Sequence, residues 1–161
     1  MAALNRRLVT LLIAASVAWP LLLTAAAWPH AEGRRATFAA LAYLAAGRVC
    51  HQIPERSFRT AGVQWPVCGR CSGLYLAAPF GAMAASLMAA RQWRGRSVAV
   101  LLATVALPST VTFVLEHFTD VSVGNLARFL TSIPLGAAVA FVIVTVARGE
   151  SGQLIGYTQR P

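Results

Sequence analysis

Apolar residues along this chain come in long unbroken blocks separated by short polar stretches, not at the two-residue period of a half-buried strand or as the single stripe of a soluble helix. A helix needs about 20 apolar residues to cross the hydrocarbon core of a bilayer. Four blocks approach that length: Leu8–Trp28, Ser72–Ala90, Ser97–Leu115 and Phe129–Ala147. The pattern predicts an all-α, polytopic transmembrane bundle of about four spans, a single membrane domain over 1–161, with a polar loop at 48–71. Each span contains one proline, Pro20, Pro79, Pro108 or Pro134, where neighbouring helices can satisfy the freed backbone and a kink is expected. A fifth run, Ala36–Gly47, is too short to cross. It predicts a helix lying in the interface, re-entering, or leaning on the bundle.

Two of the blocks carry small residues in rows, Gly73, Ala77, Gly81 and Ala85 in the second and Ser132, Gly136 and Ala140 in the fourth. Such rows let helix backbones approach closely, although an alanine-rich composition also produces them by chance. Arg6 and Arg7 before the first block, with Ala25 and Ala27 near its end, also fit a signal peptide. The apolar stretch is longer than a typical signal core, and this favours a retained anchor.

Composition agrees with a bilayer: 57% of residues are hydrophobic and 12% charged, far from the globular norm. All fourteen basic residues are arginine and the formal charge is +9. Nucleic acid is not the expected partner, because the arginines fall in small groups between apolar runs (Arg6, Arg7; Arg34, Arg35; Arg91, Arg94, Arg96), where headgroup contact explains them. The lipid bilayer is the expected partner. Orientation is not decided by charge. With the N-terminus inside, Arg6, Arg7, Arg91, Arg94, Arg96, Arg148 and Arg160 face Arg34, Arg35, Arg48, Arg56, Arg59 and Arg70 outside, a bias of one.

The chemistry is concentrated between Arg48 and Cys71. Cys68-Gly-Arg-Cys71, with Gly73 beyond, has the form of a metal knuckle, in which two thiolates share a centre and glycine permits the turn. Cys50 and His51, separated from the knuckle by sixteen residues, would complete a Cys₃His set, for which zinc is the natural occupant. Adjacent residues project in divergent directions, so His117 is an alternative fourth ligand. Cysteines packed between helices, with His51 hydrogen-bonding the loop, are the bland alternative. A dithiol–disulfide pair at Cys68 and Cys71, resolved by Cys50, is the redox one. Glu55 and Arg56 offer an ion pair that would aim Arg59 or Arg70 at an anionic headgroup. At the end of the third block Glu116 and Asp120 stand at i,i+4 beside His117, with Arg128 available from the fourth. Ionisable groups at membrane depth suggest a functional site, but the block ends there and they also suit the water interface.

Cys50-His51-Gln52, Pro54-Glu55-Arg56-Ser57-Phe58, Gly62, Pro66-Val67-Cys68, Arg70-Cys71 and Gly73-Leu74-Tyr75 together resemble the domain-of-unknown-function 2085 family of small prokaryotic membrane proteins. The resemblance implies a helical membrane fold in a prokaryotic cell membrane and supplies no activity. It implies a shared site of Cys50, His51, Gln52, Glu55, Arg56, Cys68, Arg70 and Cys71. His117 has no counterpart in the family pattern, which favours His51 as the ligand. Asn125 and Arg128 fit the pattern. Thr112-Phe113 and Glu116 depart from the family's Asp-Gly and Gln, which weakens any intramembrane site built on that Asp.

The expected function is therefore a membrane protein with a structural Cys₃His zinc site in the loop. One alternative is an enzyme, either a thiol redox catalyst or a zinc enzyme acting on a lipid or quinone, with Arg59 and Arg70 clamping an anion. A small transporter is another alternative, weakened by the near absence of charge within the spans.

Overall fold

The computed structural model describes residues 2–28, 34–88 and 95–148. Ala89, Ala90, Arg91, Arg94 and Arg160, on which part of the span and charge reading rests, lie outside the described residues. Five helices are described: α1 (Ala2–Ala26), α2 (Arg34–Ala46), α3 (Gly69–Leu87), α4 (Gly95–Phe118) and α5 (Asn125–Ala147). The expectation of an all-α chain is corrected by a two-stranded antiparallel hairpin, β1 (Ser57–Thr60) and β2 (Val63–Cys68), preceded by a 3₁₀ turn at Pro54–Arg56. The hairpin turns on two residues, Ala61 and Gly62, with φ of 47° and 83°. Both lie in the left-handed region that a tight hairpin turn requires, and glycine adopts it without strain.

Three helices, α1, α4 and α5, are long and apolar enough to cross a membrane. The second expected span, α3, is not among them. Its sequence is rich in Gly, Ala and Ser and carries Arg70 in its first turn, and it packs inside the bundle, with Gly73, Ala77, Gly81 and Ala85 all buried. The small-residue rows are this contact. A Cβ on Gly81 would collide with the carbonyl oxygen of Ala137, one on Gly73 with that of Phe129, and one on Gly136 with that of Leu74. Glycine at these points is what allows the two backbones to touch.

These pairings also fix directions. Gly73 meets Phe129 and Ser132, and Gly81 meets Ala137, so α3 and α5 run the same way. α1 runs opposite to α3: Leu23 packs with Val67 just before α3, Trp19 meets Tyr75, and Leu12 packs near Ala82 and Ala85. α4 runs opposite to α5, with the Ser109 and Ser132 hydroxyls 3.1 Å apart and Glu116 against Arg128. α2 leans on α1 through Ala26, Ala39 and Ala42. One end of the bundle therefore gathers the hairpin, the ends of α1, α2 and α4, and the beginnings of α3 and α5.

Candidate metal centre

Cys68 is the N-cap of α3 and Cys71 lies in its first turn. The helix therefore begins at Gly69, three residues earlier than the apolar block suggested. Its N-terminal amides and dipole favour negative charge at both sulfurs. Cys50 follows the last turn of α2, where its own N–H donates to the Ala46 carbonyl at 2.9 Å. Gln52, at a φ of 53°, ties this connection to the hairpin. Its Nε2 donates to the carbonyls of Tyr43 and Pro66, both at 2.8 Å, and its carbonyl accepts from Gln64 Nε2 at 2.8 Å. The Tyr43 hydroxyl donates to the Gln64 carbonyl as well. These bonds hold the end of α2 beside β2 and bring Cys50 to the start of α3.

As a result the Sγ atoms of Cys50, Cys68 and Cys71 lie within 4.8 Å of one another. All three are free thiols, Cys50 buried and the other two half-buried. The backbone N–H of Cys68 donates to Cys50 Sγ at 3.2 Å. Hydrogen bonds from the Cys68 and Cys71 thiols, joined by that amide, hold the Cys50 thiol well below its ordinary pKa against the opposing effect of burial. Leu23, Ala46 and Val67 form an apolar floor, with Trp19 and Tyr75 packed beside it. Three soft donors converging in such surroundings are suited to a thiophilic cation.

His51 is exposed and outside this group of donors, and His117 is exposed on α4, stacked 5.7 Å from Phe113. Glu55 and Arg59 are exposed, on the 3₁₀ turn and on β1 respectively. Arg56 is half-buried and forms no ion pair with Glu55.

Arg70, between the two knuckle cysteines, belongs to a second polar cluster. Its Nη2 lies 2.5 Å from Glu116 Oε2 and 3.4 Å from Thr112 Oγ1, and its guanidinium stands 5.5 Å from the centre of the Phe113 ring. Arg128 Nε donates to Glu116 Oε1 at 2.6 Å, and its Nη1 donates to Asn125 Oδ1. Asn125 in turn donates from Nδ2 to the Ser57 carbonyl at 3.0 Å, and Phe58 meets Phe129 edge-on. The hairpin, α3, α4 and α5 are joined through these contacts. Only 6% of the Glu116 side chain is exposed, so it is an inward-facing ionic centre, whereas Asp120 is exposed beyond the end of α4 at Phe118. The sequence offered Arg128 to Glu116 but not Arg70, because Arg70 and Glu116 are far apart in the chain.

Long apolar helices around an internal cysteine cluster define a multi-pass integral membrane protein with a candidate metal centre at one end. The chain belongs to the family described as predicted membrane protein, domain-of-unknown-function 2085, whose model matches residues 50–142, more than half of its length. That stretch holds the cysteine cluster and Arg70, Glu116, Asn125 and Arg128. A protein of the archaeon Methanothermobacter thermautotrophicus (strain Delta H), described as an uncharacterized protein, is 33% identical over 96 residues, covering 57% of this chain and 81% of the relative. No solved structure matches.

Proposed function

We propose that this is a four-span membrane protein, one domain over its length, whose polar end is held together by a single structural zinc ion on Cys50, Cys68, Cys71 and His51. The observation that carries the reading is the convergence of three sulfurs, from the end of α2, the N-cap of α3 and its first turn, within 4.8 Å. Three thiols so close repel once ionised and cannot all be joined by disulfides, since one pair leaves a third sulfur over. A divalent cation engages all three at once. The fourth donor we assign to His51, which is adjacent to Cys50 and exposed, and reaches the metal by turning its side chain inward. Zinc with a full set of four protein ligands is structural, because a catalytic site keeps one position open.

The four-span topology is supported by the alternating directions of α1, α3, α4 and α5. Nineteen residues in α3 extend about 28 Å at 1.5 Å each, close to the roughly 30 Å of the hydrocarbon core. α2, with thirteen residues, reaches about 20 Å on the same rise and stays at one end. Measuring metal in purified His51→Ala and His117→Ala proteins tests the ligand set. Loss in the first and retention in the second is expected, and the reverse would overturn the assignment of His51.

A further inference from the structure

Between α1, α3 and α5 the helices leave a cleft of about 420 Å³, within the roughly 300–1,000 Å³ of small-molecule sites. Leu12 and Ser16 of α1, Tyr75 and Ala78 of α3, and Val139 and Ile143 of α5 line it. Among the described residues, Ser16 and Tyr75 carry the only side-chain hydroxyls in its wall. Ser16 donates to the Ile13 carbonyl at 2.8 Å, whereas the Tyr75 hydroxyl has no hydrogen-bond partner among the described residues. Cys71, Tyr75, Ala78 and Ala82 follow at i, i+4, i+7 and i+11 and share one face of α3. The cleft therefore runs away from the cysteine end with Tyr75 at its head. Trp19 stands edge-on to Tyr75 at 6.0 Å, and both rings pack against the cysteine core.

We propose that this cleft binds the acyl chain of a membrane lipid, with the lipid's polar end at Tyr75. The wall of the cleft is almost wholly apolar and offers water few partners, and the medium around α1 and α5 at this depth is hydrocarbon. A chain lying along Ala78, Ala82 and Val139 replaces the missing packing contacts of the cleft wall. At its head an ester or hydroxyl oxygen accepts the free hydrogen of Tyr75. Tyrosine and tryptophan together suit this junction, each having an apolar body and a polar tip. The outer face of α4 makes the contrast. Leu107 and Val111 there are more than half exposed and contact whatever lipid passes. The proposal goes beyond the metal reading and does not depend on it.

The test uses the full chain in phosphatidylethanolamine–phosphatidylglycerol vesicles with a trace of phosphatidylglycerol bearing a photoactivatable diazirine on its acyl chain. After irradiation, label is expected on the cleft walls in excess of that on the α4 outer face. Ala78→Phe, which fills the cleft, removes the wall label and leaves the α4 label unchanged. Tyr75→Phe lowers wall labelling roughly fivefold, the worth of one net hydrogen bond. Metal content measured on the same preparations separates failure of this proposal from failure of the zinc site. Should Ala78→Phe not fold, Leu12→Trp fills the cleft from the opposite wall. Equal labelling of both surfaces, or wall label that survives a folded cleft-filling variant, would overturn the proposal.

Discussion

Two polar clusters lie at the same end of the helices and are joined through one residue, Arg70, yet they are completed in different ways. In the ionic cluster the charges are met by side chains: Glu116 by Arg70 and Arg128, and Arg128 also by Asn125. In the sulfur cluster Cys50, Cys68 and Cys71 have mainly one another and a backbone amide. Oppositely charged side chains can neutralise each other directly, whereas three thiols have no cationic partner among themselves, and a metal ion is a group that could engage all three. The comparison separates a cluster whose charges are met within the protein from one whose three sulfurs could together hold a metal ion.

The two clusters are therefore expected to respond differently to substitution. The largest effect is expected for Cys68→Ser, which removes the sulfur at the N-cap of α3. Metal content should fall to background and the hairpin end should lose its order, because zinc contributes on the order of 10 kcal/mol in small zinc modules. Metal analysis and thermal unfolding in detergent read both losses. A variant that loses its metal but unfolds at the wild-type temperature would break the structural reading.

Glu116→Gln comes next. It leaves Arg70 and Arg128 together without their carboxylate, a change that costs about 3–5 kcal/mol when a buried pair loses one member. Denaturant unfolding should show that loss while the metal remains at wild-type stoichiometry. Loss of metal with Glu116 would mean the two clusters act as one unit. The smallest effect is expected for Arg59→Ala. Arg59 is exposed on β1, and surface changes of this kind stay within about 0.5 kcal/mol, so metal content and unfolding should both match the wild type.

How much of this was legible in the sequence depended on the environment of each helix. α4 and α5 stood out because bulky apolar residues facing lipid raise hydropathy, and α4 is exposed along most of its length. α3 is rich in small residues because it faces protein, so composition alone understates it, and its row of Gly and Ala became meaningful only with Ser132 and Gly136 opposite. The hairpin was hidden because its turn, Ala61-Gly62, lacks the Asn-Gly or Asp-Gly signal, and alternation at Phe58, Thr60, Val63 and Trp65 was the cue available. The sulfur cluster was readable from the spacing of Cys68 and Cys71 with Cys50. Burial of Glu116 was not, since it depends on Arg70 reaching across from α3, a contact between residues distant in the chain.

Elemental analysis of the purified protein, with thiols counted before and after chelation, tests the central claim most directly. One zinc per chain is predicted, with three thiols shielded until the metal is withdrawn. Metal-free protein carrying a Cys68–Cys71 disulfide that cycles with a quinone would contradict the claim and make the cluster a redox centre.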